Sequence, residues 1–310
     1  MMIKHITALL IGASTLGLAA PATAQPLELT VLDSTAVPAT GPGGQTISEL
    51  SGLAWDADEK LLYAVSDDGV LHHFRLEVGE GRIARVEPVL SIPLTTGTNP
   101  AIVNAEGLAA VNGDNGQAGD TELLIAFEDG PAIHRFRPDG TALGAVQLPD
   151  ALADPARYNE PNSRLEAVAV TKEHGIVTVP EEAMAGEAGD THTIHGLDGK
   201  RWTFATYQPK RSNLKAIEPM PDGRLLVLER TRETKGGPSV GRLRVIDSKS
   251  CGEEQPCGAE NLDPGSSALL SDNFEGMARL TDELYLVVTD KTKKETPATQ
   301  FVLVSVKPKG

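Results

Sequence analysis

The sequence predicts an all-β fold, a β-propeller of about five four-stranded blades. A short motif recurs at intervals of about 50–60 residues, the range of blades and solenoids. Each copy is followed by the same pattern of strand and turn. No segment carries the apolar periodicity of an amphipathic helix.

The motif reads Ser51-Gly52-Leu53-Ala54, Glu106-Gly107-Leu108-Ala109 and Glu166-Ala167-Val168-Ala169. It is degenerate at Lys215-Ala216-Ile217-Glu218 and returns as Glu275-Gly276-Met277-Ala278. Behind the copies come apolar runs at 61–65, 123–127, 176–179, 225–228 and 284–289, bounded by Asp/Gly turns as hairpin strands are. Two further strands complete each unit: 71–76 and 83–90, 132–137 and 142–148, 191–195 and 202–207, then 242–246 with a weak run near 268–270. The fifth unit has only 301–306 after its hairpin, and the segment 27–33 is available to complete it. A ring whose last blade is finished by the N-terminal strand leaves few exposed edges. A sixth blade, too degenerate to read, would enlarge the ring. A β-helix repeats over a shorter period, and a sandwich needs no long repeat.

The N-terminus reads as an export signal: Lys4, an apolar run from Ile6 to Ala20, then Pro21-Ala22-Thr23-Ala24 before Gln25. Cleavage is expected after Ala24, with residues 25–310 forming one domain in the periplasm or outside the cell. The run is short for a membrane span, and no cysteine follows the site to carry a lipid anchor. A net charge of −15 argues against nucleic-acid and anionic-membrane partners. In an oxidising compartment the two cysteines, Cys251 and Cys257, are expected to pair as a staple on a surface loop.

The repeat also places charge. The first two strands of a blade form a hairpin, so the start of one lies beside the end of the other, and the first strand lines the central channel. Glu106, Glu166 and Glu275 start first strands; Asp67, Asp68, Glu128, Asp129, Glu181, Glu182, Glu229 and Asp290 end second strands. All are directed toward one channel mouth. Like charges held close raise one another's pKa, so something should offset them. Bound Ca²⁺, which takes 6–8 oxygen ligands, would do so. Interleaved cations are the alternative: Arg164, Lys215, Arg230 and Lys291 flank the motifs and could equally grip an anionic or phosphate-bearing ligand. Glu106, Glu128, Glu275, Asp67 and Asp290 are therefore the candidate metal ligands, and Glu166 and Glu181 the candidate general bases.

The mature chain has no Gly-x-Ser-x-Gly elbow, no His-Glu-x-x-His and no P-loop. Residues 112–120 read as a turn, since the acid that closes a calcium loop is missing. His192 and His195 are expected on an exposed strand, and His72 and His73 on opposite faces of another.

The segments Glu106–Ala109, Pro221-Asp222-Gly223-Arg224-Leu225-Leu226-Val227-Leu228-Glu229-Arg230 and Asn273-Phe274-Glu275-Gly276-Met277-Ala278 resemble the phytase-like family, described as "esterase-like activity of phytase". The resemblance covers nearly the whole mature chain. It implies an exported bacterial β-propeller with ester or phosphoester hydrolase activity. β-Propeller phytases bind several Ca²⁺ at a carboxylate-rich channel mouth, but their Asp-Ala-x-Asp-Asp-Pro-Ala segment is not found here. The Leu-Tyr-x-x-Ser-Asp pattern at 62–67 is similar to calcium-dependent lactonase propellers. The expected function is thus a calcium-assisted hydrolase. A non-catalytic propeller binding a ligand or protein and a lactonase are the alternatives.

Overall fold

The computed structural model describes residues 25–95, 104–252, 255–262, 271–291 and 298–309; the expected signal lies outside them. Blade 1 is β2 (Leu50–Asp56), β3 (Leu61–Ser66), β4 (Val70–Gly79) and β5 (Arg82–Pro93). Blade 2 is β6 (Ala105–Val111), β7 (Glu122–Phe127), β8 (Ala132–Phe136) and β9 (Ala142–Ala145). Blade 3 is β10 (Leu165–Thr171), β11 (Gly175–Pro180), β12 (Thr191–Gly196) and β13 (Arg201–Ala205). Blade 4 is β14 (Ser212–Pro219), β15 (Leu225–Arg232), β16 (Ser239–Ile246) and β17 (Ala259–Leu262). Blade 5 is β18 (Phe274–Arg279), β19 (Leu284–Thr289) and β20 (Gln300–Pro308), finished by β1 (Leu27–Ala36).

All five sheets are antiparallel meanders, and the inner strands β2, β6, β10, β14 and β18 contact one another in a closed cycle. The ring is sealed by β1 on β20, paired from Leu27↔Pro308 to Ala36↔Gln300 with a one-residue shift between Val31 and Asp33. The described residues form five blades, and no sixth is among them. The outer strand of blade 4 is Ala259–Leu262 rather than the run near 268–270, which lies outside the described residues. It pairs Leu262 with Leu243, so only one large apolar residue marks it in sequence.

Apolar burial holds the ring together at the seams. Each of five clusters joins two neighbouring blades: Phe74 and Leu62 meet Phe301 and Leu286 at one seam, and Phe127 and Phe136 meet Tyr63 and Leu71 at the next. A large side chain buried there contributes about 1.5–3 kcal/mol. Middle strands are covered on both faces, which is why β3, β7 and β19 are continuous apolar runs. The same coverage corrects the expectation for the histidines. His192 and His195 are buried, not exposed, because β12 is a middle strand. His72 and His73 are buried too, on opposite faces of β4, and His72 Nδ1 lies 2.8 Å from Ser91 Oγ.

Between blades 2 and 3 the chain makes one helical turn, α1 (Asp150–Ala153), anchored where Tyr158 donates to the Leu152 carbonyl at 2.7 Å. Residues 113–116 form a turn against blade 1, with the Asp58 carboxylate accepting from the Asn115 and Gly116 amides. Cys251 and Cys257 are disulfide-bonded. Their loop is more than a surface staple. The Cys257 amide donates to the Thr203 carbonyl at 2.7 Å and Cys257 is buried, so the loop covers the outer edge of blade 3. Among the described residues no helix is long and apolar enough to cross a membrane.

Candidate functional site

The recurring motif has a structural cause. In every blade the pairing between first and second strand slips by one residue, at Ser51, at Glu106-Gly107, at Glu166, at Lys215 and at Glu275. A bulge of this kind re-aims a side chain, and these five converge on the channel. On the second strand, the residue after the one paired just ahead of the slip forms an outer tier: Asp67, Glu128, Glu181, Arg230 and Asp290. Motif glycines let the inner strands close up. A Cβ at Gly107 would lie 2.6 Å from Ala167 Cα, and one at Gly276 would lie 2.7 Å from the Ser51 carbonyl oxygen. Beneath the tiers Leu53, Leu108, Val168, Ile217 and Met277 narrow the channel to a void of about 10 Å³, no more than one water's space.

The two tiers thus hold seven carboxyls and two cations, and both cations come from blade 4. Lys215 Nζ sits 2.5 Å from Glu166 Oε1, 2.5 Å from Glu181 Oε1 and 2.8 Å from Glu275 Oε2. Arg230 bridges Glu181 at 2.8 Å and Glu275 at 2.6 Å, and donates to Asn273 Oδ1. Burial alone would lower the Lys215 pKa, but Glu166, Glu275 and Glu181 together raise it well above the usual ammonium value.

Among the described residues Asp67, Glu106, Glu128 and Asp290 have no such counter-charge bonded to their side chains. Glu106 makes no hydrogen bond or ion pair among the described residues; burial, then Asp67, pushes its pKa well above the carboxylate range. Burial lifts Asp67 to about 6 against the lowering effect of its Ser51 hydrogen bond. Glu128 is raised to about 7, by burial first, although it accepts from the Arg164 amide at 3.0 Å. Asp290 is pushed to about 7 by burial and then by Glu275 and Asp67, and its Oδ1 is buried without a hydrogen-bond partner. Glu166 is likewise raised well above its usual value by burial, in spite of Lys215. Glu128, Glu166 and Glu181 bring oxygens within 4.8 Å of one another, and these three buried glutamates could together hold a metal ion.

Nine of the residues read from sequence therefore share this mouth: Asp67, Glu106, Glu128, Glu166, Glu181, Lys215, Arg230, Glu275 and Asp290. Arg164 stands at its rim, its Nη1 donating to the Glu128 carbonyl at 2.9 Å. Lys291 lies farther out, 2.5 Å from Asp272. Asp68, Asp129 and Glu182 are exposed. Glu229 does not reach the mouth. It pairs opposite Leu214, ahead of the slip, so Arg230 takes the mouth position and Glu229 turns into the seam between blades 3 and 4. There, fully buried, it binds Arg244 Nη1 at 2.6 Å, the Tyr207 amide at 2.6 Å and His192 Nε2 at 3.4 Å. Burial would raise its pKa, but His192 and Arg244 outweigh that and hold it at about 2. Sequence reasoning missed Arg244, which alternates with apolar residues along β16; a charge inside such a strand was the available signal.

A closed five-bladed propeller with a carboxyl-rich, plugged channel is the class that this fold and site define. The chain belongs to the phytase-like family, described as "esterase-like activity of phytase", which matches residues 45–294. No curated protein matches the sequence. Among solved structures the chain is similar to the Dos1 propeller, at 9% identity over 85% of this chain and 68% of that one, with a TM-score of 0.35. It is also similar to a gluconolactonase of Xanthomonas campestris, at 13% identity over 92% of this chain and 99% of that one, with a TM-score of 0.39. Likenesses this distant do not bear on the site.

Proposed function

We propose that the channel mouth is the reacting centre of an exported, Ca²⁺-assisted hydrolase of esters or phosphoesters. The observation that carries the reading is the imbalance of the tiers: seven carboxyls face two cations, and Asp67, Glu106, Glu128 and Asp290 have no side-chain cation bonded to them among the described residues. Burying unmatched carboxyls costs stability unless a cation completes them. The donor set is all carboxylate oxygen, which suits a hard cation. Glu128, Glu166 and Glu181 would hold it, with Asp67 and Asp290 adding negative charge nearby. When bound, Ca²⁺ would supply polarisation of the substrate oxygen and a lower pKa for water.

The chain's own residues have distinct tasks in this reading. Glu106, whose side chain makes no hydrogen bond or ion pair among the described residues, accepts the proton from the attacking water at its carboxylate oxygen. Arg230 and Arg164 orient the substrate oxyanion from the rim. Lys215 keeps Glu166, Glu181 and Glu275 converged. The apolar plug beneath keeps water from passing through the ring. The Cys251–Cys257 disulfide accords with a location outside the cytoplasm.

Hydrolysis of p-nitrophenyl phosphate, p-nitrophenyl acetate and a γ-lactone, with Ca²⁺ and with chelator, tests the reading. Calcium-dependent turnover lost on Glu128→Gln is expected; turnover indifferent to chelator defeats it. One observation favours a second reading, a ligand-binding propeller without catalysis. Lys215 and Arg230 already satisfy Glu166, Glu181 and Glu275 without a metal. That reading predicts equal stability with and without Ca²⁺ and no turnover.

A further inference from the structure

A second cavity, of about 500 Å³, opens beside the mouth where blades 4 and 5 meet. Its walls are Arg232, the turn 236–239, and Ser271, Asp272 and Asn273 with Lys291. Arg232 ends β15 two residues beyond Arg230, and side chains two apart on a strand share a face. Asn273 in the cavity wall also accepts from Arg230 and donates to Asp290, so the cavity and the mouth share this residue's hydrogen bonds.

The charges around it are unequally satisfied. Arg230 is engaged by Glu181, Glu275 and Asn273. Lys291 neutralises Asp272. Arg232 is half-buried, and its guanidinium makes no hydrogen bond or ion pair among the described residues. Burial, then the positive charge of Arg230, lowers its pKa from the usual guanidinium value, and Glu275 and Glu181 offset this only in part. Arg230, two residues back on the same strand face, is the cation that engages Glu181 and Glu275. The Ser239 hydroxyl lies on the same wall.

We propose that this cavity is a subsite in which Arg232 binds an oxyanion group of the substrate, a phosphate or a carboxylate, distal to the bond that reacts at the mouth. The proposal rests on the mouth being the reacting centre and narrows its substrates to esters bearing a second, anionic group. Two residues along a strand span about 7 Å, so that group lies a few bonds from the one facing Arg230. A planar guanidinium is suited to such a partner because it can donate two parallel hydrogen bonds.

Calorimetric titration of the whole chain with inorganic phosphate, and separately with succinate, reads the subsite without turnover. Wild type, Arg232→Gln and Arg232→Lys are compared. One anion is expected to bind wild type, about tenfold or more weakly after Arg232→Gln, with partial recovery in Arg232→Lys; which anion binds tells phosphate from carboxylate. Because Arg232 has no side-chain partner, the ligand-free melting temperature should move by no more than about 2 °C in either variant. Equal affinity in all three proteins, or no binding of either anion, overturns the proposal. The expected losses together with no ester hydrolysis would confirm the anion site and overturn its role in catalysis, failing the hydrolase reading alone.

Discussion

Two neighbouring residues on one strand, Glu229 and Arg230, serve two buried charge clusters of opposite character. At the seam of blades 3 and 4, Glu229 has one carboxylate against a full complement of donors, and its pKa falls to about 2. At the channel mouth, Glu128 is buried and Asp290 half-buried, yet both rise to about 7. Burial is common to both; the count of donors is not. A carboxylate matched by its own protein is a structural fixture, whereas carboxyls left in excess form a place where something positive from outside is stabilised.

The sharpest way to break this contrast is to remove one glutamate from each cluster. Glu229→Gln should cost about 3–5 kcal/mol, because it leaves Arg244 buried without its charge partner. Urea unfolding at pH 7 measures it, and a loss below about 1 kcal/mol would mean that the seam is no better matched than the mouth. Next in size is calcium. A ligand selective for the folded chain should add about 2.7 kcal/mol at a hundredfold excess over its dissociation constant. Thermal unfolding with Ca²⁺ and with chelator reads that gain, which Glu128→Gln should abolish and Glu229→Gln should leave in place.

The two clusters also differ in acid. Glu229 has a folded pKa near 2, below its unfolded value of 4.5, so its contribution is present above pH 4.5 and is lost as pH falls toward 2. His192, Arg244 and the Tyr207 amide are the groups facing it. Wild type should lose stability through that window more steeply than Glu229→Gln. A separate loss, common to both proteins, should appear between pH 6.5 and 4, where His72, His73 and His195, lowered to about 4 chiefly by burial, stay neutral in the fold but protonate when unfolded. The smallest effect belongs to Glu106→Gln. With no partner to strand, it should change metal-free stability by less than about 1 kcal/mol. A penalty equal to that of Glu229→Gln would erase the distinction between the clusters.

The fold was legible because each blade repeats one tight requirement. The slip that aims a residue into the channel, followed by a small residue where inner strands touch, writes a motif at every blade; Glu106-Gly107 and Glu275-Gly276 are its clearest copies. Even the degenerate copy was informative, since Lys215 occupies a glutamate's place and supplies the ring's central cation. Less legible was anything set by register or by a neighbouring blade. The slip after Leu214 decides whether Glu229 or Arg230 faces the channel, and alternation cannot locate a slip. Arg244 and Arg232 acquire meaning only from what surrounds them in space. The outer strand of blade 4 was misplaced because an edge strand exposed on one face needs little apolar residue content, and Ala259–Leu262 has little.

The pairing of β1 with β20 joins the earliest strand of this sequence to the last. Until residues 300–308 are available, β1 has no partner and β19 presents a bare apolar edge. The ring can thus be completed only once both strands have been made, and the slowest step of folding should be the meeting of these two distant strands. Joining residues near 26 and 309 through a short linker and opening the chain at the exposed turn 233–236 would make that closure local. Such a permuted chain should reach the same ring faster, with every seam unchanged.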